Sequence, residues 1–434
     1  MFGYYLDLAV RSLKRNKVLT ALMIATLALG IGASITTLTV LRLLSGDPLP
    51  QKSGRLFYPQ LDAHDLDGYV AGETRPPQMM SYPDAMYLLR AHRATRQVAL
   101  ALIQAKIVPS AANQHPYFAD GVMAAGDFFA RFDAPFQYGS SWSTADEEGR
   151  NAVVVISDFL NDKLFGGSNS VGRHLDIDGR DFRIIGVLKH WAPQPRFYAV
   201  ALGNHSYGDG DALFMPLQTA RALDKGPGDV ECYQDVTDLH HLETAPCEWL
   251  GVWVELNDSA AVASYKSFLD GYVKDQIALG RFHRPETSLL NLMGWMSDQE
   301  VVPDDAQLQT YLAFGFLLIC VVNTVALLLA KCLRRGREIS VRRALGATRR
   351  AIFMQFMVEA AIVGLAGGLL GLVLAELGLL GVRHQPAEYA SLAHLNLQMF
   401  VTTFGVALLA SLVAGLLPAW RACVMAPAPQ LKAT

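Results

Sequence analysis

Four long apolar segments constrain this chain more than any motif does. Val18 to Leu41 runs 24 residues without a charge, and Leu397 to Leu417 is uncharged as well. Tyr311 to Ala330 has Asn323 as its strongly polar interruption, and Ala351 to Leu380 carries Glu359 and Glu376 around an uncharged middle. About 20 mainly apolar residues suffice to cross the hydrocarbon core as a helix. Each segment therefore predicts a membrane span. The predicted order is 1–17 as an N-terminal segment, a span at 18–44, a large polar domain at 45–307 and a span at 308–330. A loop at 331–350, a span at 351–380, a short loop at 381–396, a span at 397–418 and a tail at 419–434 complete it.

Arg11, Lys14, Arg15 and Lys17 precede the first span and look like the basic region of a secretory signal. The apolar run exceeds the usual ~7–15 residues, and no small-residue cleavage site follows. An uncleaved helix is expected. Lys and Arg collect on the cytoplasmic flanks of spans. Eight of them, Lys331, Arg334, Arg335, Arg337, Arg342, Arg343, Arg349 and Arg350, lie between the second and third spans. Both this loop and the termini are therefore expected in the cytoplasm. Segment 45–307, with 21 basic and 35 acidic residues, is expected on the opposite side.

That segment reads as mixed α/β. Val98 to Ile103 and Ala152 to Ile156 predict strands, and Leu175 to Ile177 and Phe182 to Val187 flank the hairpin dipeptide Asp178-Gly179. Ser157 can cap a helix ending near Gly166. Residues 259–279 place Val262, Tyr265, Leu269, Tyr272, Val273 and Ile277 at helical spacing. About 260 residues exceed one small core, so two lobes with a boundary near Pro216 are expected. Residues 205–246 are rich in turn formers and show no clear periodicity.

Cys232 and Cys247 are the two cysteines of this domain. Three readings stand: a disulfide suited to an oxidising compartment, two buried thiols, or a metal site with His240 and His241. The disulfide is favoured, because the spacing fits no standard zinc pattern.

The loop at 331–350 is the most informative stretch. Glu338 and Arg342 stand one turn apart, Gly346 can end that short helix, and Thr348 can cap the next. A basic helix lying on anionic headgroups accounts for the charges; a helix docked on a soluble partner accounts for the two-helix layout as well. Glu359 falls near the cytoplasmic interface, where pairing with loop arginines and a mechanistic role are equally open. Glu376 lies near the opposite face and can reach water. Gly364 with Gly368 and Gly367 with Gly371 form overlapping GxxxG pairs that permit close helix approach, as do Ala28 with Gly32 and Gly30 with Ser34. Trp420 and Arg421, after Pro418, suit an interfacial end of the last span.

REISVRRALGATRRAIFMQFMVEA after the second span, and the terminal GLLPAWRACVMAPAPQLK, resemble the signatures of MacB/FtsX-type ABC permeases. GVMAAGDFFARF, AVVVISDFLNDKLFGGSNSVGRHLDIDGRDFRIIGVL and ALFMPLQTA resemble successive pieces of that family's periplasmic core domain. The resemblance implies a multi-pass protein of the bacterial inner membrane with four spans and a two-lobed periplasmic α/β domain. It also implies that 338–347 is a coupling helix seated on an ABC ATPase, with Glu338, Arg342, Arg343, Gly346 and Ala347 at the contact. A second permease copy or a related permease, a periplasmic adaptor and an outer-membrane channel are the further partners it suggests.

No GxxxxGK[ST] loop occurs in the sequence, so ATP and Mg are expected on a partner ATPase and no cofactor on this chain. GxSxG and HExxH are absent too, and a non-catalytic subunit without a metal or a nucleic-acid partner is expected. Three roles follow from the resemblance: export of a peptide, antibiotic or similar molecule, which leads; lipoprotein extraction; and mechanotransmission to a cell-wall hydrolase.

Overall fold

The computed structural model describes residues 2–72, 74–109, 115–202, 206–223, 225–236, 241–385 and 389–424. It divides into two compact units, one formed by Met1–Ser45 with Val302–Thr434 and the other by Gly46–Val301.

The first unit holds four helices long and apolar enough to cross a membrane: Lys17–Ser45, Asp304–Arg334, Arg349–Arg383 and Leu397–Val424. They are termed the first to fourth spans. Each is longer than its apolar run because charged ends continue the helix. Asp304 and Asp305 open the second span, where negative charge meets the positive end of the helix dipole, and Lys331 and Arg334 close it. The fourth helix does not stop at Pro418, as expected, but runs through it to Val424. The missing proline N–H removes one intrahelical bond, and the packed flanks Ala414, Ala419 and Ala422 keep the helix going.

Residues 2–15, treated above only as a basic flank, form a helix of their own, Phe2–Arg15. It is amphipathic: Ala9, Ser12 and Leu13 are buried at helical spacing, while Asp7, Arg11, Lys14 and Arg15 are exposed.

The glycine pairs decide how the spans fit together. A methyl group on Gly364 would overlap the Ser411 hydroxyl, and one on Gly368 would lie 2.8 Å from Ala407 Cβ, so this pair faces the fourth span. Gly367 and Gly371 face the first span instead, with Leu27 Cβ at 3.1 Å and Ile31 Cγ2 at 3.0 Å. The first span has two such faces of its own. Gly32 lies against Leu374 and the Gly371 carbonyl of the third span; Gly30 lies against Leu317 and Cys320 of the second. Ser34 adds a hydroxyl bond to the Ala313 carbonyl at 3.0 Å. Small residues thus let the four backbones approach where no aqueous hydrophobic effect drives them together.

The second unit is built on a 12-stranded mixed sheet. Its strands are β1 (Leu56–Leu61), β2 (Met80–Ser81), β3 (Arg96–Val108), β4 (Tyr117–Gly126), β5 (Phe136–Gly139) and β6 (Val153–Ile156). They continue as β7 (His174–Ile177), β8 (Arg180–Leu188), β9 (Leu213–Pro216), β10 (Glu231–Cys232), β11 (Cys247–Glu255) and β12 (Thr287–Asn291). The main path runs β12-β1-β11-β3-β4-β9-β6-β8-β5. The pairs β4/β9 and β6/β8 are parallel.

Pro216 is not a boundary. It ends β9 opposite Ala124 of β4, inside the sheet. The turn-rich stretch around it also holds the helix Leu217–Ala222 and β10. The β7/β8 hairpin turns at Asp178 and Gly179 with φ of 56° and 80°, the double positive φ that such a two-residue turn needs. Ser157 caps Asp158–Phe165, and Gly166, at φ 63°, ends it.

Alternation along the strands gives the sheet two buried faces. Ala99, Ala101, Met123, Val252 and Val254 point into a core completed by Tyr265, Leu269 and Tyr272 of the helix Ser259–Ala278. Trp253 points the other way, into an aromatic cluster with Phe132 and Phe197 at ring distances of 6.1 and 5.3 Å.

Candidate coupling site at the end of the membrane unit

The segment between the second and third spans folds as the helix Gly336–Ala344. Its inner face is Gly336, Ile339 and Ser340, all buried, and Ile339 packs in a cluster with Cys332, Ile352, Phe356, Ala419, Ala422 and Cys423. Gly346 ends the helix at φ 99°. Its N–H donates to the Arg343 carbonyl at 3.1 Å, and that of Ala347 to the Arg342 carbonyl at 3.0 Å. This is the crossed pair of bonds by which a residue with positive φ closes a helix. Thr348 then caps the third span by accepting from the Ala351 N–H at 3.2 Å.

Beneath this helix lies an ionic network. Glu359 of the third span is wholly buried, accepts from the Ser12 hydroxyl at 2.8 Å and is ion-paired with Lys331 of the second span. Arg335 stands 3.9 Å from Glu359 and 3.9 Å from Glu338, and it also donates to Ser12. Glu338 meets Arg342 at 3.1 Å and Arg15 at 3.6 Å. Arg342 donates to Gln355 at 3.1 Å, and Arg343 to the Cys423 carbonyl at 3.4 Å. The N-terminal helix, the linking helix and the second, third and fourth spans therefore share one set of polar ties. Taking an ion pair out of water is costly, and removing one partner of a buried pair costs about 3–5 kcal/mol.

The outer face of the linking helix is different. Arg337, Val341, Ala344 and Leu345 are exposed at positions i, i+4, i+7 and i+8, which makes one stripe. Leu345 is 83% exposed and Val341 46%.

In the second unit Cys232 and Cys247 face each other across β10 and β11 and are joined by a disulfide. Both sulfurs are thereby used, which leaves no thiolate for a metal, and His240 lies outside the described residues. Next to the bridge, Glu248 is buried and lies 3.1 Å from His64 Nε2. Burial pushes the Glu248 carboxyl up to about 7, against the pull of His64. The bond to Glu248 in turn pushes the His64 imidazole up.

Comparison with known proteins decides the family. Residues 20–270 match the MacB-like periplasmic core domain, and residues 311–427 match the FtsX-like permease C-terminal domain. The chain belongs to the MacB/FtsX family of ABC transporter permeases. It is 27% identical over 313 residues to the pyoverdine export ATP-binding/permease protein PvdT of Pseudomonas aeruginosa, covering 70% of this chain and 41% of that protein. It is 24% identical over 304 residues to the macrolide export ATP-binding/permease protein MacB of Bdellovibrio bacteriovorus, covering 68% of this chain and 41% of the relative. The chain thus spans about two fifths of the length of these relatives. Among solved structures, the periplasmic region of MacB from Actinobacillus actinomycetemcomitans aligns at a TM-score of 0.37 and 13% identity, over 58% of this chain and 94% of the other.

As a MacB/FtsX permease, the protein is an inner-membrane protein of four spans with a mixed α/β periplasmic domain, the unit Gly46–Val301. Of the residues singled out from the sequence, Glu338 and Arg342 join Glu359 in one network through Arg335, while Arg343 bonds the Cys423 carbonyl of the fourth span. Gly346 and Ala347 close the helix that carries them. Three features escaped the sequence reading: Lys331 as the partner of Glu359, Ser12 between them and Arg335, and the stripe Arg337, Val341, Ala344, Leu345. The stripe had a signal, since it is the i, i+4, i+7, i+8 complement of the apolar Ile339 side.

Proposed function

We propose that this permease converts ATP hydrolysis by a separate cytoplasmic ABC ATPase into movement of its periplasmic domain, and that this movement drives export of a peptide, antibiotic or similar molecule. The termini and the loop 331–350 face the cytoplasm in this reading, as their Lys and Arg content supports. The protein works as a dimer with a second copy or a related permease, and passes substrate to a periplasmic adaptor and an outer-membrane channel. ATP and Mg bind the partner.

One observation carries the proposal. The helix Gly336–Ala344 is tied on its inner side to the N-terminal helix and to three spans, while its outer stripe is exposed at a closed, capped helix end. A push on such a helix is passed on, because, apart from the Glu338–Arg342 pair within it, the polar ties named above end on neighbouring helices. The ATPase contact therefore moves from the Arg342 and Arg343 side chains to Arg337, Val341, Ala344 and Leu345, with Gly346 and Ala347 at the edge. The relatives named for export of pyoverdine and macrolides support the export role.

Affinity purification of the tagged chain from its native membrane, with mass spectrometry of what accompanies it, tests the reading. An ABC ATPase together with an adaptor is expected. A lipoprotein carrier or a hydrolase activator in place of the adaptor would redirect the export role, and no ATPase at all would overturn the proposal.

A further inference from the structure

The periplasmic unit contains a cavity of about 390 Å³ bounded by the helix Leu217–Ala222, the turn at Arg150 and residues 241–243. Small-molecule sites begin at about 300 Å³. Among the described residues, Arg150, Arg221 and Lys225 line it against the single carboxylate of Glu243, with His241 on the same wall. This lining inverts the balance of segment 45–307, where acidic residues outnumber basic ones 35 to 21. Trp249 and Leu242 supply its apolar side.

The cationic groups are not loose surface charges. Arg221 is ion-paired with Glu243, donates to Gln218 at 3.3 Å and sits 4.7 Å over the ring of Tyr82. Tyr82 in turn stacks on Trp249 at 6.0 Å. Lys225 is held by Asp178 at 2.8 Å. Arg150 is the exception: among the described residues its side chain has no hydrogen-bond or ion-pair partner, and its backbone takes a φ of 52°. A non-glycine residue is uncommon there, and such positions persist only where the surroundings impose them. The surroundings here include Thr219, whose hydroxyl donates to the Asn151 carbonyl at 3.0 Å and so ties the turn to the helix that forms the cavity floor.

We propose that this cavity is a binding site for a small soluble molecule carrying a carboxylate or phosphate, with Arg150 and the Arg221 guanidinium meeting the anion and a flat apolar part lying toward Trp249. Guanidinium forks match the geometry of planar and tetrahedral oxyanions, and charge-assisted bonds of this type are roughly twice as strong as neutral ones. The site belongs to the periplasmic unit, and the export reading does not depend on it.

The test is isothermal titration calorimetry on the full chain in nanodiscs of zwitterionic lipid. The probes are benzoate, inorganic phosphate and the uncharged analogue benzamide. Saturable binding of both anions is expected, and none of benzamide. Arg150→Asn weakens both anions by about tenfold, the equivalent of 1.4 kcal/mol. Asparagine adopts positive φ readily, so this variant keeps the turn. Absence of saturable anion binding, equal binding of benzamide, or unchanged affinity in Arg150→Asn would overturn the proposal.

Discussion

Lys331 and Glu359 form a fully buried ion pair between the second and third spans, immediately behind the helix that links them. Glu359→Ala leaves the Lys331 ammonium buried without its carboxylate and is expected to destabilise the protein by about 3–5 kcal/mol. Replacing both, as Lys331→Met with Glu359→Leu, removes two charges and keeps the volume. Thermal unfolding in detergent is expected to show stability restored. Transport by the double variant, assayed in proteoliposomes with the partner ATPase, is expected to stay low, because Arg335 and Ser12 have then lost their carboxylate partner on the third span. Full recovery of transport would make the pair a packing element only.

Gly346 separates backbone from contact effects. No atom lies within 4 Å of a methyl group placed on it, so Gly346→Ala meets only the penalty of a positive φ, about 1 kcal/mol. Gly346→Pro cannot adopt φ 99° and loses the N–H bonded to Arg343. ATP hydrolysis measured beside transport is expected to stay coupled in the alanine variant and to uncouple in the proline variant.

The third span offers a graded series. Gly364→Ala drives a methyl group into the Ser411 side chain and to 2.9 Å from the Ala407 carbonyl, and is expected to destabilise by about 1–3 kcal/mol. Gly367→Ala meets Leu27 Cβ at 3.1 Å and is expected to do less. Gly315→Ala on the second span, with nothing within 4 Å, serves as the neutral control in the same unfolding measurement.

The His64 and Glu248 pair sets a pH dependence for the periplasmic unit. Both groups hold their protons more tightly in the fold than in the unfolded chain, so the folded form binds more protons between about pH 4.5 and 7. Stability from this pair is then complete below the unfolded Glu value and is lost as pH rises through about 7. Glu248→Gln is expected to flatten that decline, read as the melting temperature at pH 5 and pH 8 by tryptophan fluorescence, Trp249 being the next residue.

Much of this was readable in the sequence, because local patterns carried it. Uncharged runs named the spans, Asp178-Gly179 named the hairpin, and Ser157 with Gly166 bracketed a helix. Local signals also misled where packing overrode them: Pro418 lies inside a helix and Pro216 inside the sheet. The ionic network was illegible for another reason. Ser12 and Glu359 are 347 residues apart, and Lys331 read as one more basic residue of a loop until the fold placed it behind that loop. The intrachain bonds of Arg342 and Arg343 were not legible either, because sequence shows charge but not which way a helix turns it. The exposed stripe follows once Ile339 is known to face inward.

The direct test of the central claim is site-specific photo-crosslinking from the linking helix in native membranes. A photoreactive residue at Leu345, on the exposed stripe, is expected to capture the ABC ATPase, whereas one at Ile339, on the buried face, is expected to capture none. Equal crosslinking from both positions, or capture of lipid alone at Leu345, would contradict the account.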